Sequence, residues 1–186
     1  VLKKGVNINT RDKYGKTPLI AAARNNKKNA CEFLIFKGAD INAKDEYGKT
    51  ALMNAVDINY NSFYDFPDWL MPQIYNIDEQ IKWQKKICEL LILKGADLNE
   101  VDKNGKTALM IAASHGLKEI CNLLISKGAA VNAKDKSGNT ALMEAIHYGD
   151  KETCELLISK GADINTQNKD NLTPLMLSIF LNNKEI

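Results

Sequence analysis

The chain of 186 residues has little of what would mark a catalyst, a membrane-spanning protein or a nucleic-acid binder. It holds two histidines, His115 and His147, and neither has a nucleophile, an acid partner or a third ligand at a telling spacing. No Gly-rich phosphate loop follows a candidate strand, and no carboxylate pair stands out from the charge background. No catalytic, cofactor-binding or metal-binding residue, and hence no enzyme activity, is expected. No apolar run approaches the roughly 18 residues a membrane-spanning helix needs, so no membrane partner is expected. Charge of neither sign prevails: 25 Lys and Arg against 23 Asp and Glu leave a formal net charge of +2. That is too small to draw the phosphate backbone, which argues against nucleic acid. Four cysteines occur without a Cys-x-x-Cys pair, which removes the usual zinc spacing. The opening Val1-Leu2-Lys3-Lys4-Gly5 lacks a signal-peptide layout and matches the later Leu93-Lys94-Gly95, so the chain reads as an excerpt.

What is present is a beat. Thr-Pro/Ala-Leu occurs at Thr17-Pro18-Leu19, Thr50-Ala51-Leu52, Thr107-Ala108-Leu109, Thr140-Ala141-Leu142 and Thr173-Pro174-Leu175, at intervals of 33, 57, 33 and 33. Periods of this size mark stacked repeats, each a supersecondary unit that buries its apolar face only against its neighbours. With 45% hydrophobic and 26% charged residues the composition is that of a foldable chain.

Residues 102–134 serve as the reference unit. Asp102-Lys103-Asn104-Gly105 is a turn, with Gly supplying a positive φ. Thr107 caps a short helix, and where Pro18 or Pro174 follows the matching Thr it sits at the first helical position. Ala108, Leu109, Ile111, Ala112 and Ala113 are small or apolar and allow close packing on both sides. A second helix, from Leu117 to Ser126, is apolar at Leu117, Ile120, Cys121, Leu124 and Ile125. Gly128 provides its left-handed exit.

The pattern Gly-x-Thr-(Pro/Ala)-Leu, Ala-Ala, Leu-Leu-(Ile)-x-Lys-Gly-Ala-Asp-(Ile/Leu)-Asn resembles the ankyrin repeat over the whole chain apart from one insertion. The resemblance implies an all-α fold, a solenoid of stacked helix-loop-helix units with projecting β-hairpin fingers. It also implies protein binding through the finger tips and the concave face of the inner helices. One domain is expected, with a partial repeat at 1–11, repeats at 12–44, 45–101, 102–134 and 135–167, and a partial repeat at 168–186. The position usually held by His is Ile20, Met53, Met110, Met143 and Met176, read as core packing. Asn171 takes a Gly slot, and Asn42, Asn99, Asn132 and Asn165 are read as structural.

Cys31, Cys88, Cys121 and Cys154 occupy one repeated position, seven residues before a Gly. Equivalent residues of stacked helices lie about 8–10 Å apart, beyond the roughly 7 Å a disulfide spans. Free, buried thiols in a reducing, cytoplasmic setting are expected, a secreted effector being the alternative.

The second unit is longer by 24 residues, an insertion at about 59–85 between its two helices. There Tyr60, Phe63, Tyr64, Phe66, Trp69, Tyr75 and Trp83 make up seven of the thirteen aromatic residues. Two readings stand: an aromatic binding element with Phe63, Tyr64, Phe66 and Trp69 in contact with a partner, or a flap packed on the stack. Asn76-x-x-Glu79 and the apolar spacing after it predict that the outer helix begins about three turns early.

The expected contact surface comprises tip residues Lys13, Tyr14, Lys16, Lys44, Glu46, Tyr47, Lys49, Lys103, Asn104, Lys106, Lys136, Ser137 and Asn139, together with Arg24, His115, His147 and Tyr148 at the ends of inner helices. Lysine predominates at the tips, which favours a protein partner of acidic or mixed charge. The expected function is a non-enzymatic, monomeric protein-interaction module. The alternatives are a targeting segment of a larger enzyme or effector, and a self-associating spacer.

Overall fold

The computed structural model describes the backbone of residues 7–57 and 77–181, and the side chains of all of these except 77 and 78. Among the described residues there are nine α-helices and no strand. Two compact units contain them, one built from Val1–Glu46 and Thr50–Ala96, the other from Tyr47–Lys49 and Asp97–Ile186.

The first unit holds α1 (Pro18–Arg24), α2 (Lys28–Phe36), α3 (Ala51–Val56) and α4 (Ile77–Leu93). Helices α1 and α3 lie side by side as inner helices, α2 and α4 as outer ones, and each inner helix packs on its own outer partner. The second unit holds α5 (Ala108–Ala113), α6 (Lys118–Ser126), α7 (Ala141–Tyr148), α8 (Lys151–Ser159) and α9 (Pro174–Phe180). It repeats the arrangement: α5, α7 and α9 form the inner row, and α6 and α8 the outer.

Each inner helix starts where its sequence predicts. The hydroxyl oxygens of Thr17, Thr50, Thr107, Thr140 and Thr173 accept from the N–H three residues on, at 3.3–3.4 Å. A cap of this kind contributes about 1 kcal/mol per helix. These helices are only six to eight residues long, too short to stand alone, so packing must hold them. Leu19 and Leu52 in the first unit, and Leu109 and Leu142 in the second, are fully buried at matching positions. The position after them is core as well: Ile20, Met53, Met110 and Met143 are buried, and only Met176 on α9 is half exposed.

The outer helices end alike. At α6 the N–H of Gly128 donates to Ile125 and that of Ala129 to Leu124, both at 3.0 Å, while Gly128 takes φ 101°. This double bond around a left-handed residue satisfies carbonyls the helix end would leave open. Helix α4 has 17 residues where α6 and α8 have 9, an extension of about two turns within the described residues. The early start at Ile77 agrees with the start that Asn76-x-x-Glu79 predicts. The remainder of the insertion, with Phe63, Tyr64, Phe66 and Trp69, lies outside the described residues.

Cys31, Cys88, Cys121 and Cys154 are all free and buried. Burial pushes the thiols of Cys88, Cys121 and Cys154 up to about 12 and that of Cys31 to about 11, so they stay protonated and inert at neutral pH.

Candidate protein-docking surface

One device builds four of the turns that open the repeats. At 12–15 the Asp12 carboxylate accepts from the N–H groups of Tyr14 (2.9 Å) and Lys16 (2.8 Å). The backbone closes the same turn, Gly15 N–H to Asp12 O at 2.9 Å and Asp12 N–H to Lys16 O at 3.0 Å. Asp102 and Asp135 repeat this with bonds of 2.8–2.9 Å, and Asn168 does so through its amide oxygen at 3.0 Å. Asn171, in the Gly slot of that last turn, takes φ 60° as its residue type allows. No strand pairing is involved, so the fingers are side-chain-capped turns among the described residues.

Each tip is also tied to the next. In the first unit Glu46 N–H donates to Tyr14 O at 3.0 Å. In the second, Lys103 donates to Tyr47 O, Lys136 to Asn104 O and Lys169 to Ser137 O, each at 2.9 Å. Asparagines form a parallel set of links: Asn9 accepts from Asp40 N–H (2.9 Å), Asn99 from Ala130 N–H (2.8 Å) and Asn132 from Asp163 N–H (2.8 Å). Asn42 and Asn132 donate to the carbonyls of Gly95 (3.3 Å) and Gly161 (3.0 Å). These asparagines are structural, joining successive repeats within a unit.

On this frame Lys13, Tyr14, Glu46, Tyr47, Lys103, Asn104, Lys136 and Ser137 are exposed at the tips. Tyr14 is flanked by two cations, Lys13 at 4.8 Å and Lys16 at 5.2 Å from its ring centroid. Lys16, Lys44, Lys49, Lys106 and Asn139 are half-buried. Among these, Lys106 Nζ pairs with Glu144 at 2.8 Å, and Asn139 Oδ1 accepts from Asn168 at 2.9 Å.

At the inner-helix ends Arg24 and His115 are half-buried, and His147 and Tyr148 are exposed. Arg24 donates to Asn54 Oδ1 at 3.3 Å, and the buried Asn54 donates in turn to Asp45 at 3.1 Å. The Tyr148 ring lies over Gly116 so closely that a Cβ there would come within 2.7 Å of it. Tyr148 thus packs against the preceding repeat through its Cδ1–Cε1 edge while staying more than half exposed.

Several of these features escape a reading of residue types. The capping role of Asp12, Asp102 and Asp135 was signalled by a constant Asp-x-x-Gly spacing. Arg11, whose guanidinium donates to Gly15 O (3.0 Å) and to Lys44 O, carried no local signal. Among the described residues no three His, Cys, Asp or Glu side chains converge on a site that could hold a metal ion. No described helix is long and apolar enough to cross a membrane.

Repeated layers of an inner and an outer helix, joined by capped turns that expose varied side chains, define a repeat protein of the kind that presents a surface to partners. The family described as "Ankyrin repeats (3 copies)" matches residues 1–82, 79–168 and 138–186. The chain belongs to the ankyrin-repeat family, whose repeats are generally protein-interaction modules. No curated protein matches it.

Proposed function

We propose that this chain is a non-enzymatic, monomeric module that docks another protein through the turn tips and the ends of the inner helices. The observation that carries the reading is the contrast between frame and display. Backbone and Asp side chains of the turns at Asp12, Asp102 and Asp135 are consumed in hydrogen bonds, while Tyr14, Lys103 and Lys136 beside them face solvent. Side chains held in place before binding lose less freedom on association. Lysine and tyrosine at the tips suit a partner of acidic or mixed charge, with the tyrosines as anchors. Buried thiols without a disulfide agree with a reducing, cytoplasmic setting. Phe63, Tyr64, Phe66 and Trp69 extend the surface on grounds of composition.

The test is affinity capture from native lysate with the intact chain and with Tyr14→Ala, Tyr47→Ala and Tyr148→Ala. The expected result is loss of a specific protein, with the melting temperature little changed for Tyr14→Ala and Tyr47→Ala. Capture that is indifferent to all three would refute the assignment of the tips. A further variant replaces 58–76 by a glycine–serine linker and leaves α4 intact; an unchanged partner set removes the insertion from the surface.

A further inference from the structure

The outer helices of the first unit differ from those of the second at one register position. Phe36 near the end of α2 and Leu93 at the end of α4 hold the place that Ser126 holds in α6 and Ser159 in α8. The serines are satisfied locally, each hydroxyl donating at 2.7 Å to the carbonyl three residues back. The apolar pair is left in water: Phe36 is 81% and Leu93 79% exposed. Because α2 and α4 pack side by side, these residues stand on neighbouring ridges. Phe33 lies one turn before Phe36, and Trp83 lies about 15 Å before Leu93 along α4 and about 80° around it; both are more than two-fifths exposed.

Cations accompany this strip. Lys37 Nζ lies 5.8 Å from the Phe33 ring centroid and 5.1 Å from that of Phe36, and Lys86 Nζ lies 4.4 Å over Trp83. The nearby carboxylate of Glu32 is held by Lys28 at 2.7 Å. An apolar strip of this composition, with lysines at its rings, is matched by an amphipathic helix whose apolar residues enter between the ridges and whose carboxylates meet the lysines. A flat anionic bilayer fits less well, since Glu32 and Glu89 are exposed on the same two helices. We infer that the outer face of α2 and α4 is a second docking surface, distinct from the turn tips, for an acidic amphipathic helix of another protein.

The experiment titrates the whole chain into a fluorescein-labelled model helix, leucine on one face and glutamate elsewhere, and reads anisotropy. Saturable binding is expected, weakened by salt and reduced about tenfold or more in the Phe36→Ser/Leu93→Ser double variant. Both substitutions install what the second unit carries at these exposed sites, and circular dichroism confirms the fold. As a second variant, Lys37→Glu/Lys86→Glu is expected to weaken the glutamate helix and to favour a lysine counterpart. Any of four results overturns the inference. These are absence of saturable binding, equal affinity for the lysine helix, indifference to both variants, and preference for phosphatidylserine vesicles over the peptide. Binding that emerges only when 58–76 is replaced by a linker assigns the strip to this chain's own segment, and equally overturns an outside partner.

Discussion

Two glycines of the second unit share a left-handed backbone but differ in what surrounds them, and this separates turn packing from backbone strain. Gly105 has φ 82° and Gly128 φ 101°. A Cβ on Gly128 would meet nothing within 4 Å, whereas one on Gly105 would sit 2.8 Å from Lys136 N and 3.2 Å from the Asp135 carbonyl carbon. Gly128→Ala therefore incurs only the left-handed penalty of about 1–2 kcal/mol, offset in part by about 0.4–1 kcal/mol from the stiffer unfolded chain. The expected net loss is about 1 kcal/mol. Gly105→Ala adds the displacement of one tip from the next. It stretches the 2.9 Å bond from Lys136 N–H to Asn104 O, and losing such a bond while leaving its donor unmet costs about 1–3 kcal/mol. The expected total is about 3 kcal/mol. Urea denaturation followed by circular dichroism measures both, with equal slopes required for the comparison. Equal losses for the two variants would refute the claim that adjacent tips are packed backbone to backbone.

Removing the turn cap has a graded outcome. Asp135→Ala loses two bonds of 2.8 Å and is expected to cost about 2 kcal/mol, while Asp135→Asn keeps an accepting oxygen, as Asn168 does naturally, and should cost under about 1 kcal/mol by the same denaturation assay. The four thiols should react with a disulfide reagent only on unfolding, since each is buried. Their folded pKa values of about 11–12 stand above the ordinary 9.0, so the neutral thiol is favoured by the fold. The stability this contributes is complete below about pH 9 and is lost as pH rises toward 12. A Cys31/Cys88/Cys121/Cys154→Ala variant, compared by alkaline titration, should lose less stability across that window. Lys118 and Glu152 form an exposed pair at 2.8 Å that raises the lysine and lowers the carboxylate, yet Glu152→Gln should leave the melting temperature unchanged because solvent screens it.

The parts of this structure that were legible in the sequence are those decided locally. Thr107 caps and Gly128 exits because cap and left-handed turn depend on a few adjacent residues, and the periodic Leu and Met positions up to Leu142 and Met143 are buried because spacing assigns them a face. Asn171 was readable for the same reason. Links that cross from one repeat to the next were not. Asn99 was legible as a residue that satisfies backbone, but its partner, Ala130 N–H, is 31 residues away. Asn54 carries no sign of its role in the sequence, yet it is buried and accepts from Arg24 of the preceding repeat. Tyr148 was expected at the contact surface, and its contact with Gly116 requires two repeats to be in place.

The account rests on the turns being rigid parts of the stack, so that side chains displayed on them are positioned before any partner arrives. Native-state amide exchange tests this at the N–H groups of Glu46, Lys103, Lys136 and Lys169, each bonded to the carbonyl of a neighbouring tip. Protection comparable to that of the buried inner-helix amides of Ala112 and Ala145 is predicted. Exchange at these four positions as fast as in an unstructured peptide, with the helix amides still protected, would contradict it.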